Sequence, residues 1–415
     1  MQSNFKNRFN YKVTSSAYFV VIFGLLISFL IGWQLGHRDY KLQWENYRPK
    51  VNLSNQQPPK SEYNIDFKLF WDTWDLVSRE YVDKKAVDPQ KMYYGAIKGM
   101  VDALGDPYTV FLPPDAQKST KEELGGSFEG VGIQLGFNKE KRLVVIAPLT
   151  GTPADRAGVK AGDLIIKIED KDTTGMSLPE AVNLIRGRKG TKVNLEMYAD
   201  GDDKTKDVAL TRDTIIVKSV EHKAVETPSG KKVAHLKLSR FGEKTNSEWN
   251  QSVSSALSDG VSGIVLDLRN NPGGFLDGAV YIGSEFIDQG DIVLQENAQG
   301  ERRGYKVNRT GKLLNLPVVV LVNKGSASAS EIVAGAIQDY KRGKLVGTQS
   351  FGKGTIQESQ DLPGGTGVHI TTAKWLTPNG NWVHDSGLTP DIKVEAGDDP
   401  AKDLQLEKAL ELFGL

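Results

Sequence analysis

The stretch Leu316-Pro-Val-Val-Val-Leu-Val-Asn-Lys-Gly-Ser-Ala-Ser-Ala-Ser-Glu-Ile-Val-Ala-Gly-Ala-Ile337 divides into a strand, a small-residue corner and a helix. Val318 to Val322 is a short continuous apolar run rich in β-branched residues, the pattern of a strand covered on both faces. Gly325 breaks the run, and from Glu331 the spacing of Ile332, Val333, Ala336 and Ile337 is helical. Between them lie Ser326, Ser328 and Ser330, among residues too small to shield a hydroxyl. A serine that opens a helix can cap it by accepting from a free backbone N–H. It can also act as a nucleophile, its developing charge stabilised by the field of the helix N-terminus. The stretch alone leaves both roles open, and capping is the commoner one.

Downstream, Ser350-Phe-Gly-Lys-Gly-Thr-Ile-Gln357 holds a lysine between two glycines. Close approach of backbone to Lys353 would desolvate its amine and lower its pKa toward that of a general base. The two segments together suggest a Ser/Lys dyad. Gly347-Thr-Gln-Ser-Phe-Gly-Lys353 also has the spacing of a phosphate-binding loop, but Gly354 stands where that loop needs a hydroxyl for its metal. Thr355 to Asp361 reads as a strand and not as the helix such a loop opens. A Ser/His/Asp site is the closer competitor. Of the five histidines, His37, His222, His235, His369 and His384, the one in the loop Val383-His-Asp-Ser-Gly387 is best placed to serve it.

The pair Gly325-Ser-Ala-Ser-Ala-Ser-Glu331 and Phe351-Gly-Lys-Gly-Thr-Ile-Gln357 resembles the carboxyl-terminal processing peptidases, or tail-specific proteases. Gly105-Asp-Pro-Tyr-Thr109, Asp267-Leu-Arg-Asn-Asn-Pro-Gly-Gly274, Thr377-Pro-Asn-Gly380 and Gly387-Leu-Thr-Pro-Asp-Ile392 are similar to further segments of that family, in the family's order. The resemblance implies that Ser328 is the nucleophile, Lys353 its base and Gln357 the residue that orients the lysine. It also implies a crotonase-like α/β core. Gln357 would share a strand face with Lys353 if that strand is regular. For the oxyanion, the backbone N–H of Ala329 follows the nucleophile directly, and Gly273 or Gly274 offers a second, unhindered donor.

Residues 121–213 resemble a PDZ domain, down to the turn Ala157-Gly-Val-Lys-Ala-Gly-Asp163. Such domains add a peptide C-terminus to a sheet edge as a strand and hold its carboxylate on backbone N–H groups. Gly130, Val131, Gly132 and Ile133 occupy the matching loop, where glycine lets backbone approach closely. Arg186, at the end of a helix expected over Leu178–Arg186, can pair with a carboxylate or face solvent.

A chain of 415 residues exceeds one ordinary core. Its 52 basic and 52 acidic residues balance, which disfavours a nucleic-acid partner, and the absence of cysteine excludes disulfides and thiol catalysis. Ala17 to Leu35 is uncharged and long enough to span a bilayer, and it reads as an uncleaved anchor. Basic residues flank it on both sides, so they do not set its orientation. The lack of acids before it, and the family resemblance, place the remainder outside the cytoplasm.

The expected architecture is thus multidomain α+β: tail and anchor 1–38, polar linker 39–65, helical region 66–120, PDZ-like β-rich domain 121–213, peptidase core 214–395 and C-terminal helix 396–415. Helices are expected from Asp66 onward, where the stripe Phe67, Phe70, Trp71, Trp74 and Val77 suits a core or dimer contact, and over Pro89–Leu104. The terminal helix, carrying Leu404, Leu406, Leu410 and Leu412, needs a surface to dock on, a second subunit being one candidate. The expected activity is a serine endopeptidase without cofactor or metal, acting on proteins with free C-termini and leaving room for a homodimer or regulatory partner. The reading from another class is a catalytically silent PDZ scaffold.

Overall fold

A computed structural model describes residues 23–29, 40–45, 48–53 and 65–414, apart from 139, 150, 199–203, 398, 400 and 401. The chain divides into two compact units, Met1–Val87 and Asp88–Leu415. In the first, the linker expected as an unpaired tether contains an antiparallel pair, Tyr40–Glu45 with Arg48–Leu53. Lys68–Glu80 is helical but buries none of its residues, so its aromatic stripe builds no core; Trp71 is 56% exposed. Residues 23–29 of the expected anchor are helical, and the rest of Ala17–Leu35 lies outside the described residues. No helix among the described residues is long and apolar enough to cross a membrane.

The second unit carries the helix Pro89–Asp102, capped by Asp88, whose carboxylate accepts from the N–H groups of Gln90 and Lys91. A β-rich body follows. Its sheet runs in the order Lys206–Thr211, Lys192–Tyr198, Leu164–Ile168, Leu143–Pro148, Ile133–Phe137, with the short Lys171–Asp172 on the Leu164–Ile168 strand. Alternate residues of Lys192–Tyr198 point inward to a core of Val145, Ile165, Ile168, Val193, Leu195 and Met197. Ile133–Phe137 is an edge strand, and the helix Leu178–Ile185 packs beside it. A two-stranded ladder, Ser127–Gly130 with Asp213–Ile216, joins the entry and exit of this body.

The remaining core is layered. Its six-stranded sheet runs Val220–Glu226, Lys232–Leu238, Ile264–Asp267, Val318–Val322, Gly343–Gly347, Ile392–Lys393, antiparallel at the first pair and parallel thereafter. Every residue of Val318–Val322 is buried, as its unbroken apolar run requires. The helices Thr245–Ser258, Leu276–Gly283 and Ala329–Asp339 contribute to the core on one face. The C-terminal helix Leu404–Glu411 covers the other, with Leu406, Ala409, Leu410 and Phe413 against Val233, Val265, Val319 and Val346. That helix therefore docks on its own sheet. Gly263 is bare because a Cβ there would stand 2.5 Å from the Phe413 ring. A second, antiparallel sheet, Arg302–Lys306, Asp291–Asn297, Gly367–Leu376, Thr355–Asp361, receives the outlying strand Val110–Leu112.

Candidate active site

At the end of Val318–Val322 the chain turns through the serine corner into the helix Ala329–Asp339. The three serines have separate surroundings. Ser326 is fully buried and donates from Oγ to the Leu268 carbonyl at 2.8 Å, while Ser330, also buried, donates to the Asn271 carbonyl at 2.9 Å. Ser328 lines a cleft of about 720 Å³. Its φ of 54° and ψ of −116° lie where an L-residue is strained, at roughly 1–3 kcal/mol, a conformation that persists only when its surroundings over-determine it.

The constraint is Glu331, a carboxylate with no exposed surface. Its Oε2 accepts from the backbone N–H of Ser328 at 2.8 Å and of Lys353 at 2.9 Å. Its Oε1 accepts from Gly352 N–H at 2.7 Å and from the Ser350 hydroxyl at 2.6 Å. One side chain thus fastens the backbone of both candidate catalytic residues. It also takes the N–H groups of the loop that has phosphate-binding spacing, so that cradle is filled by an internal anion. The Lys353 carbonyl is held by the Trp375 indole N–H at 2.8 Å, and that of Gly354 by Trp382 at 2.9 Å. Gly354 admits no side chain, since a Cβ would stand 2.7 Å from the Trp382 indole nitrogen.

The Lys353 ammonium lies over the Tyr108 ring, 5.0 Å from its centroid. Burial pushes its pKa below that of an ordinary lysine, and the Asp106 charge opposes the fall. Lys353 and Gln357 line the same cleft as Ser328. They do not share a regular strand. The strand begins at Thr355, after Lys353, and its register shifts between Ile356 and Gln357. Both protons of the Gln357 amide nitrogen are engaged, by Thr355 Oγ1 at 2.9 Å and Thr371 Oγ1 at 3.0 Å, which leaves the carbonyl oxygen as the group to offer a lysine.

Ala329 heads the helix, where the first N–H groups have no intrahelical acceptor. Gly273 packs against the corner so tightly that a Cβ would stand 2.9 Å from Ala329 N. Its own N–H is committed to Asn271 Oδ1 at 2.9 Å, so of the two expected donors Gly274 is the one left for an oxyanion. His384 does not line the cleft; its Nδ1 accepts from Gly354 N–H at 3.3 Å and its ring stacks on Trp382. The histidine that does is His369, its pKa lowered by burial and by Lys353. Among the described residues no group of three or more His, Asp or Glu side chains converges as a metal site.

The glycine loop leads into the edge strand Ile133–Phe137. Gly132 has a φ of 79°, and a Cβ would meet Thr152 at 2.4 Å. Val131 is buried and accepts at its carbonyl from Ala154 N–H at 3.0 Å. Gly130 pairs with Asp213, at the joint between this body and the core. Arg186 ends the neighbouring helix, its guanidinium 4.6 Å from the Phe128 ring centroid, and it lines the cleft with Ser328 and Lys353. The residues that sequence reasoning left without a role are Glu331, Asp106 and Tyr108. The segment Gly105–Thr109 was legible as a motif, whereas nothing in the sequence tied Glu331 to Lys353.

Comparison with known proteins identifies the family. Residues 232–394 match the profile of peptidase family S41, residues 144–198 that of a PDZ domain, and residues 31–116 that of the activating protease CtpB N-terminal domain. The chain is 38% identical over 326 residues to the carboxy-terminal processing protease CtpA of Bacillus subtilis, covering 78% of this chain and 68% of that one. It is 36% identical to a Staphylococcus aureus (strain COL) protein named probable CtpA-like serine protease, over 78% of this chain and 63% of that protein. The photosystem II D1 C-terminal processing protease has a similar structure, with a TM-score of 0.50 and 32% identity over 84% of this chain and 97% of its own. The chain therefore belongs to peptidase family S41, as a serine peptidase of the carboxy-terminal processing type with a PDZ domain.

Proposed function

We propose that this peptidase works by a Ser328/Lys353 dyad on protein tails captured by its PDZ domain, tethered to a membrane with its catalytic domains outside the cytoplasm. The observation that carries the dyad is the meeting of Ser328 and a partly desolvated Lys353 in one cleft. Neutral Lys353 takes the Ser328 Oγ proton as Oγ attacks the scissile carbonyl. The oxyanion is received by the N–H groups of Ala329 and Gly274. The lysinium then protonates the leaving amine, and water, activated by the same amine, releases the acyl group. Gln357 holds Nζ through its free carbonyl oxygen. In this reading Gly130, Val131, Gly132 and Ile133 receive the tail's carboxylate end, and no cofactor takes part.

The test is cleavage of a tailed substrate, with product termini read by mass spectrometry. Ser328→Ala and Lys353→Ala lose activity by similar factors, because groups that act as a unit are not additive. Ser326→Ala and Ser330→Ala, which remove only buried hydrogen bonds, keep most of it. Wild-type activity in Lys353→Ala would overturn the dyad and make His369 the base to examine. A lysine base also gives a rate that rises with pH through a midpoint above histidine's usual value of about 6.5 and below a free lysine's of about 10.4.

The tether rests on the uncharged run Ala17–Leu35, and the outward orientation on the absence of acids before it. Deleting residues 1–38 releases a soluble, active enzyme. Protease added outside intact spheroplasts degrades the catalytic domains, whereas protection until lysis would reverse the orientation.

A further inference from the structure

The motif Gly105-Asp-Pro-Tyr-Thr109 lies far ahead of Lys353 in sequence and outside the residues that match the peptidase profile. Gly105, with a φ of 71°, turns the chain out of the helix Pro89–Asp102. The Asp106 carboxylate then ties the loop to itself, accepting from Tyr108 N–H at 3.0 Å and from Thr109 Oγ1 at 2.7 Å. Thr109 Oγ1, buried, accepts in turn from Thr371 N–H at 3.0 Å, which clamps the loop to the strand Gly367–Leu376. Thr371 is also the residue whose hydroxyl meets the Gln357 amide. From this brace Tyr108 lays its ring against the Lys353 ammonium. His384 backs the same ring edge-on at 6.1 Å and is itself stacked on Trp382.

Glu331 and Trp375 fix the Lys353 backbone, and the lysine ammonium then lies over the Tyr108 ring of this loop. The ionisable groups around it are few. Asp106 and Tyr108 come from the loop, His369 from the facing strand, and Glu331 from the nucleophile helix at the level of the backbone; His384 stands behind Tyr108, with Asp385 beside that imidazole at 3.8 Å. Burial alone would raise the Asp106 carboxyl. Hydrogen bonds from Thr371, Thr109 and Tyr108 outweigh that effect and keep it ionised below the ordinary aspartate value.

We propose that Asp106 and Tyr108 are the charge partners of Lys353, stabilising the lysinium that forms when it takes the Ser328 proton, and that the 105–109 loop thereby completes the catalytic centre. The ring face attracts a cation within about 6 Å of its centroid. The Asp106 carboxylate, which accepts from the N–H of Tyr108 itself, holds its negative charge on the same short loop. Asp106 and Tyr108 are positioning residues, and the inference rests on Lys353 being the base.

The test is the pH dependence of kcat/KM for wild type, Asp106→Asn, Tyr108→Leu and Tyr108→Phe, with Lys353→Ala as reference. Removing the carboxylate charge or the ring makes lysinium less stable, so the rising limb moves to lower pH by roughly half to one unit. The plateau falls by about three- to tenfold, because the base is weaker. Tyr108→Phe keeps the ring and restores the limb to its wild-type position. A lower rate with an unmoved limb in both Asp106→Asn and Tyr108→Leu means that the loop is only scaffolding, and overturns the proposal while leaving the dyad standing. Wild-type rates in Lys353→Ala instead bring down the base assignment, and this inference with it.

Discussion

The backbone of the serine corner and of the lysine loop is held in place by one neighbouring side chain. It is that of Glu331, whose two oxygens accept four hydrogen bonds, two of them from the residues that would exchange the proton. Glu331→Gln keeps the volume but turns one acceptor into a donor facing N–H groups, leaving buried donors unpaired at about 1–3 kcal/mol. Since about 1.4 kcal/mol is tenfold in rate, kcat should fall roughly 10- to 100-fold with KM little changed and the circular dichroism spectrum intact. An unaltered kcat would show that the carboxylate is a mere helix cap. At this scale the sequence was partly legible. Ser328, Lys353 and Gln357, singled out by motif, line one cleft. Which serine faces the cleft was not legible from composition, because the other two hydroxyls are spent on carbonyls of the distant segment 268–271. Glu331 escaped notice because its partners are mostly backbone N–H groups, which leave no signature in a sequence. His384, plausible from its loop, is excluded from the cleft by packing against aromatic rings.

Among the elements, two strands were read best. Val318–Val322, buried at every position, falls where its apolar run placed it, and Thr355–Asp361 matches the expected strand end to end. Elements whose fate depends on a partner were harder. The C-terminal helix was expected from its leucines, but the surface it covers was not. What anchors its start is a charge cluster that no local pattern reveals. Arg269 donates to Asp267 at 2.7 Å and to Asp403, the helix N-cap, at 2.7 Å, while His235 meets Asp267 at 3.0 Å. Asp403→Ala removes cap and ion pair together and should cost about 1–2 kcal/mol in urea unfolding, whereas Asp403→Asn, which can still cap, should cost less. Equal costs would assign the whole effect to the ion pair. Asp267 adds a pH dependence. Burial would raise its carboxyl, but Arg269 and His235 bring it from 3.8 down to about 2. A carboxyl depressed in the folded state contributes stability that is complete above its unfolded value and is lost as pH falls through the folded one. The stability difference between wild type and Asp267→Asn should therefore narrow between about pH 4 and pH 2.

Taken whole, the Asp88–Leu415 unit carries the open edge strand Ile133–Phe137 and the cleft that holds Ser328, and Arg186, at the end of the helix beside that edge, lines the cleft. The succession of a PDZ domain and a peptidase domain was legible, because each carries its own periodicity and turn motifs. Their mutual arrangement was not, because it depends on joints such as the Ser127–Gly130 and Asp213–Ile216 ladder, too short to stand out in a sequence. Through that ladder the glycine loop and the Arg186 end of the helix are tied to the cleft wall, where Phe128 and Arg186 line the same cleft as Ser328. In the proposed reading, a tail added to the open edge of Ile133–Phe137 would gain main-chain hydrogen bonds, and its terminal carboxylate would meet successive N–H groups at the loop. Amidating the C-terminus of a substrate peptide removes that charge and leaves the scissile bond unchanged. If the PDZ domain only captures, kcat/KM for the amidated peptide should drop about 10-fold or more through KM, by the loss of charge-assisted hydrogen bonds worth about 1.5–3 kcal/mol. If occupancy also arranges the cleft, kcat should fall too. Arg186→Ala should then lower kcat for the free-acid peptide toward the amidated value, because that guanidinium is the group shared by the receiving body and the site. Equal cleavage of free-acid and amidated peptides would reject carboxylate reading and reduce the PDZ domain to a packing module.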